Sequence, residues 1–403
     1  MDSHFVRQPV LTASKDVLGY ELLCGGTPEC SIDLARERIV QSPGEGARVS
    51  EFLTHLSDGL LSFVRLDRPQ LELQEYKTLP NDRFVLEIPE FELPDRSLAN
   101  TCREARRLGY RVVLNDIVVE PRLQPMLDCI DLLKVDFPAL TNEQHRQIIK
   151  AASEYHFETI ADHMRTPEEF DRARGLGYQY FQGSFYCQPD LRNIRHLATG
   201  QMQLLQVVQA VNQPEFSVDE IDQLIRQDLT LSVKLLKYLN SSAFGLRSRV
   251  SSIRQAVALL GHRPLQRWVT LLSVGELCQG KPLVLMNVSL IRARFCDAIG
   301  ERILSAQEGS ECFLIGLLSL LDAILDQPMQ QILEQLSLSA TIMRTLLGGT
   351  TRMASILELV QLLEDGDFRR IAAIVYELQL DEAFIFEEYR KACAWASDVF
   401  SGI

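Results

Sequence analysis

The chain has 403 residues, 46% of them hydrophobic, and a formal net charge of -13. That length and apolar content give two or three domains with a large core and no need of a disulfide framework, and the acidic balance excludes a sequence-independent grip on nucleic acid, which requires a surplus of Lys and Arg. The start MDSHFVRQPV lacks the basic and apolar regions of a signal peptide, and the longest apolar run, Phe313 to Leu321, is too short for a bilayer. A cytoplasmic protein without a membrane partner is therefore expected. The nine cysteines, scattered from Cys24 to Cys393, form no CxxC pair and no zinc spacing, which points to a reduced compartment.

From residue 1 to about residue 195, short β-rich runs alternate with polar, helix-like segments. The runs are HFVRQPVL, VLGYELL, LSFVRL, FVLEIPE, RVVLNDIVV, LLKVD, FETIAD and YQYFQG. Thr141 with Gln144, and Thr166 with Pro167 and Glu169, carry the residues of two helix N-terminal capping boxes. Alternation of this kind predicts a parallel sheet, and eight runs in about 195 residues predict a compact TIM-like β/α barrel with short helices, as in the loop after Asp116.

Past about residue 200 the period becomes helical and strand signals stop. Ser217 with Glu220 forms a capping box, Ser252 precedes IRQAVALL, and Gly261 follows it at a C-terminal cap position. The expected domains are 1-197, an α/β barrel, and 198-403, all-α. The amphipathic stretches SILELVQLLE and IAAIVYELQL are accounted for by core packing.

In a β/α barrel the C-terminal strand ends converge on one mouth. Polar residues occupy those ends here: Glu21, Arg65, Glu87, Asn115, Asp116, Lys134, Asp136, Asp162 and Gln182. Several carboxylates around a lysine have the composition of a hard-cation site for phosphate-ester hydrolysis, although polar strand ends bound to nothing would look the same.

The motifs GYELL, FVLEIPE, VVLND, LLKVD, IADHMRTPEE and FQGSFYCQP, in that order, resemble the EAL phosphodiesterase family over about residues 1 to 195. That family opens cyclic di-GMP to a linear dinucleotide with two divalent ions. The resemblance implies metal positions at Glu21, Glu87, Asp116 and Asp162, catalytic roles for Glu21 and Lys134, and a ligand contact at Gln182, with Mg2+ or Mn2+ as the cofactor if any is held.

The chain also departs from the family pattern. Arg65 stands where the family has a metal-binding asparagine, the aspartate pair reads Asn115 and Asp116, and the AEGVE motif reads ADHMR, placing Arg165 at an acidic position. The substrate-binding arginine after the first motif is replaced near Gly25. Together these changes predict a degenerate site, in which either Arg65 or Arg165 takes over part of the metals' work by pairing with a phosphate or with the remaining acids, or the site has decayed into a structural ion-pair network.

Between Asp228 and Gly261, QDLTLSVKLLKYLNSSAFGLRSRVSSIRQAVALLG resembles the HDOD family through Asp228, Lys234, Asn240, Ser241, Phe244, Ser252, Ile253 and Gly261. HDOD domains are similar to HD hydrolases without the histidine-aspartate dyad, and here Ser319 stands at the histidine position, near Asp322. The tandem implies a bacterial signalling protein in which the barrel senses cyclic di-GMP or contacts its neighbour, and the HDOD half serves a protein partner or self-association as a homodimer. The alternative reading is an active metal-dependent phosphodiesterase.

Overall fold

The computed structural model describes residues 5–25, 45–88, 95–115, 124–193, 197–213, 221, 223–225, 255 and 262–402. They divide into two compact units, Met1–Tyr186 with Leu362–Arg370, and Cys187–Gln361 with Ile371–Ile403.

The first unit is a closed eight-stranded barrel ordered β1 to β8 around its circumference. The strands are β1 (Phe5–Thr12), β2 (Val17–Cys24), β3 (Leu61–Arg65), β4 (Phe84–Ile88), β5 (Arg111–Asn115), β6 (Leu132–Asp136), β7 (Glu158–Asp162) and β8 (Tyr180–Phe181). Each coincides with one of the eight runs legible in the sequence, β1 and β2 extending one residue past theirs to Thr12 and Cys24. From β2 to β8 every neighbour is parallel.

The expectation of a parallel sheet fails at β1, which pairs antiparallel with both β2 and β8. The cause is connection length. A parallel return needs a crossover of a dozen or more residues, and only a turn separates Thr12 from Val17. That turn is closed by Lys15 N–H donating to the Thr12 carbonyl at 2.9 Å, with Lys15 at φ 65°.

The helices of this unit start as their caps dictate. The Thr141 hydroxyl accepts from Gln144 N–H and the Gln144 side chain accepts from Thr141 N–H, opening the helix Asn142–Tyr155. Thr166 and Glu169 do the same for Pro167–Leu176, where Pro167 adds a fixed φ at the first turn.

Val10, Phe63, Val85, Val113, Leu132 and Ile160 form a buried layer across the barrel. One such residue comes from each of six strands, and each fully buried side chain of this kind contributes roughly 1.5–3 kcal/mol. Segment Leu362–Arg370 also belongs to this unit. Gln8 Nε2 donates to the Glu364 carbonyl at 2.9 Å, and a side chain at Gly366 would meet Leu23 Cδ1 at 2.5 Å.

The second unit is helical throughout its described residues, as expected. Its long helices are His262–Leu277, Leu283–Ile303, Ala306–Leu318 and Glu382–Gly402. Two glycines on Ala306–Leu318 set its close approach to Leu283–Ile303: a Cβ on Gly316 would stand 2.4 Å from the Arg292 backbone, and Gly309 lies against Gly300. Most of the HDOD signature between Asp228 and Gly261, with the caps at Ser217, Glu220 and Ser252, lies outside the described residues.

Seven described cysteines are free. No described helix is long and apolar enough to cross a membrane.

Candidate ligand and metal site at the barrel mouth

Strand side chains alternate between faces with a period of two. Two residues beyond the interior layer, toward the C-terminal strand ends, the same inward face therefore presents Arg65 after Phe63, Glu87 after Val85, Asn115 after Val113, Lys134 after Leu132 and Asp162 after Ile160. Glu21 enters from β2, and Gln182 just past β8, where its N–H donates to the Ala161 carbonyl at 2.8 Å.

Lys134 is the hub. Its Nζ donates to Glu21 Oε2 at 2.7 Å and Glu87 Oε1 at 2.8 Å, and lies 3.4 Å from Asp162 Oδ2. Gln182 Nε2 donates to the same Glu21 Oε2 at 2.5 Å and to Gln8 Oε1 at 3.0 Å. Arg65 Nη2 stands 3.6 Å from Glu21 Oε1. Glu21, Glu87, Lys134, Asp162 and Gln182 are all buried, while Arg65 is half-buried at the opening.

Burial acts to raise the Glu21 carboxyl, but the Lys134 and Arg65 charges and the hydrogen bonds from Lys134 and Gln182 outweigh it and bring it from 4.5 to about 2. Glu87 moves the other way, raised by burial and by the Glu21 charge. Burial opposes the charge on Lys134, yet the Glu21, Glu87 and Asp162 carboxylates lift its pKa well above 10.5. Lys134 is thus a permanent cation rather than a proton acceptor. Chemically it can neutralise buried acids or hold a phosphate oxygen.

Four residues keep open valences. Glu21 Oε1, Glu87 Oε2, Gln182 Oε1 and both polar atoms of Asn115 are buried without a hydrogen-bond partner. Each such atom costs roughly 1–3 kcal/mol unless something binds there. Oxygens of carboxylate and amide type fit one hard divalent cation.

A pair of dications fits poorly, because three carboxylates already face two cationic side chains, and Asn115 contributes an uncharged amide. Among the described residues, no three acidic, histidine or cysteine side chains gather into a cation cage. Asp116, expected at this rim, lies outside the described residues.

Arg165 is not brought to the site. It is exposed, and its backbone N–H donates to Glu169 Oε2 at 2.6 Å within the cap of the following helix. Asp162 shares its carboxylate between Lys134 and the His163 N–H at 2.6 Å. Gln8 was missed by the sequence reading. It stands opposite Glu21 in the β1–β2 register and two residues from the inward Val10, so the period-two rule applied to β1 would have found it.

Gly183 fixes the turn behind Gln182. Its φ is +124°, and a Cβ there would fall 2.2 Å from the Met164 carbonyl oxygen. In the helical unit, Ser319 accepts from Arg292 Nη1 at 3.2 Å, and Asp322 accepts from the Ala323 N–H at 2.9 Å. Both are engaged in local helix-end geometry.

Comparison with known proteins adds the following. Residues 66–189 match the EAL domain family model and residues 197–345 match the HDOD domain model. Glu21 and Arg65 precede the first matched stretch. The chain is 29% identical over 98% of its length, and 93% of the relative's, to Cyclic di-GMP phosphodiesterase CdgJ of Vibrio cholerae. It is 27% identical to the uncharacterized protein YuxH of Bacillus subtilis, over 98% of both chains. Among solved structures, the Bacillus subtilis YkuI protein, with an EAL domain and in complex with cyclic di-GMP and calcium, aligns at TM-score 0.35 and 22% identity. That alignment covers 64% of this chain and 73% of the other.

Proposed function

Because the chain is an EAL–HDOD tandem protein, we propose that it is a bacterial signal-transduction protein linked to cyclic di-GMP, whose degenerate barrel site binds the nucleotide as a sensor or adaptor and whose HDOD half serves a protein partner. The observation that carries this reading is Lys134 between Glu21 and Glu87 at 2.7 and 2.8 Å, with Arg65 over Glu21. Fixed side-chain cations occupy the electrostatic role that two metal ions have in an enzyme of this composition.

Magnitude favours the same reading. A guanidinium and a dication about 5 Å apart repel by roughly 7 kcal/mol at an effective dielectric constant of about 20. Holding a second ion beside Arg65 would spend most of the binding energy of that ion.

In the sensor reading, the Arg65 guanidinium at the opening takes a non-bridging phosphate oxygen, Lys134 offsets the carboxylates beneath it, and Gln182, tied to Gln8 and Glu21, gives the phosphate ester a neutral polar wall. A single Mg2+ or Mn2+, held by Glu21, Glu87 and Asn115 with Asp116 next in sequence and Asp162 facing the same lysine, would add Lewis-acid activation of water.

The second reading, an active phosphodiesterase giving the linear dinucleotide, is favoured by the orphaned oxygens and by the name of the Vibrio relative. The deciding experiment is calorimetric titration with cyclic di-GMP alongside turnover in Mg2+ and in Mn2+, using Glu21→Ala as the contamination control. Binding without turnover supports the sensor. Metal-dependent turnover that disappears in Glu21→Ala replaces it with the enzyme.

A further inference from the structure

Within the helical unit a cavity of about 600 Å³ opens among the helices His262–Leu277, Leu283–Ile303, Ala306–Leu318 and Glu382–Gly402. We propose that this cavity binds a purine nucleotide carrying one or two phosphate groups, with the base against Trp268 and Trp395 and the phosphate on Arg263 and Arg294.

The walls divide into a cationic side and an aromatic side. Arg263 and Arg267 are four residues apart on one helix, hence on one face, and Arg294 comes from the next helix. Like charges at that spacing repel unless an anion joins them. Arg267 is already committed: its two terminal nitrogens grip the buried Asp297 at 2.6 and 2.9 Å, and its guanidinium lies 5.2 Å from the centre of the Phe313 ring.

Arg294 reaches the same carboxylate only at 3.5 Å, and Arg263 is exposed with no ion pair among the described residues. With Asp297 neutralised by Arg267, two guanidiniums face the cavity against one acid, Glu301. A guanidinium pair of this kind suits the bidentate geometry of a phosphate.

The aromatic side explains why a bare anion is not the best ligand. Trp268 and Trp395 stand 6.3 Å apart at 49°, and Phe313 meets Trp395 edge-on at 6.3 Å. Rings so close and so tilted present one outer face to a base rather than a slot. The volume lies within the roughly 300–1,000 Å³ usual for small-molecule sites.

The site is separate from the vestigial HD position. Ser319 and Asp322 lie at and beyond the C-terminal end of Ala306–Leu318, near Arg292, whereas Phe313 and Gly309 line the cavity nearer the other end of that helix.

The chain's two tryptophans are the two that line this cavity, so indole emission reads it directly. The full chain, excited at the red edge of the indole band, is titrated with guanosine 5′-monophosphate, adenosine 5′-monophosphate, guanosine and inorganic phosphate at constant ionic strength. The expected result is saturable quenching by the mononucleotides, with guanosine and phosphate each binding at least about tenfold more weakly, as a bidentate or stacking contact of about 1.4 kcal/mol requires. Arg294→Gln and Arg263→Gln, both at exposed or half-exposed positions, should each weaken the nucleotides at least about fivefold and leave guanosine unchanged. Nucleotide affinity unchanged in both variants overturns the phosphate assignment. Phosphate binding as tightly as the nucleotide, or no saturable quenching into the millimolar range, overturns the nucleotide site.

Discussion

Lys134→Met removes one charge and keeps the length of the side chain, leaving Glu21 and Glu87 buried, about a hydrogen bond from where the ammonium stood, with Asp162 a little farther. Loss of one partner from a buried ion pair costs about 3–5 kcal/mol at neutral pH. The cost is not fixed, because Glu87 is already raised toward protonation and, without Lys134, Glu21 loses the strongest influence that holds its pKa down. Both acids then accept protons in mild acid, so the penalty should shrink to about half or less near pH 5. The double variant Lys134→Met, Glu87→Gln should recover about 1–2 kcal/mol of the single-variant loss, by relieving one uncompensated carboxylate. Urea unfolding followed by far-UV circular dichroism reports both units, whereas the two tryptophans report the helical one, so the barrel transition should shift while the tryptophan transition stays. A penalty under about 1 kcal/mol at neutral pH, or one that does not change with pH, would refute Lys134 as the neutralising hub.

Other perturbations test the same structure. Glu21 has a folded pKa of about 2 against 4.5 unfolded, so its contribution of about 3 kcal/mol is present above pH 4.5 and lost as pH falls toward 2; Glu21→Gln should flatten that limb of the acid-unfolding curve. Arg65→Asn removes the guanidinium beside Glu21 and should strengthen Mn2+ binding at least about tenfold by calorimetry, since several kcal/mol of repulsion disappears; an unchanged affinity places Arg65 away from any cation position. Gly183→Ala must move the Met164 carbonyl and strain a φ of +124°, so a loss of about 3 kcal/mol or more in barrel stability is expected from thermal or urea unfolding. Gly316→Val, pressed against the Arg292 backbone, should instead lower the tryptophan-reported transition by a comparable amount.

Much of this architecture was legible because strands and helices carry different periods. All eight strands coincided with β-rich runs to within one residue, and the two capping boxes at Thr141 and Thr166 formed as their residue types require. The inward set also follows from alternation, since Phe63, Val85, Val113, Leu132 and Ile160 are each two residues from a polar strand end. What alternation does not carry is where a side chain goes once its strand has ended. Arg165 lies three residues past β7, in a turn closed by Glu169, and faces solvent.

Direction at β1 follows from the short connection between the first two runs rather than from residue type, so periodicity alone does not give it, and that reversal is what brings Gln8 beside Gln182. The cavity was not legible either, because a charge pattern on one helix is silent about the tryptophan another helix delivers to it.

The return of Leu362–Arg370 to the barrel unit makes that unit discontinuous along the chain. Its eight strands are complete by Phe181, yet the carbonyl that holds the Gln8 amide is supplied some 180 residues later, at Glu364. A fragment ending near residue 197 would contain every strand and every acid of the mouth while freeing the side chain that steadies Gln182. Ligand affinities measured on such a fragment would belong to a differently braced pocket, and the two halves of this chain cannot be exchanged between relatives as independent cassettes without carrying that short return along.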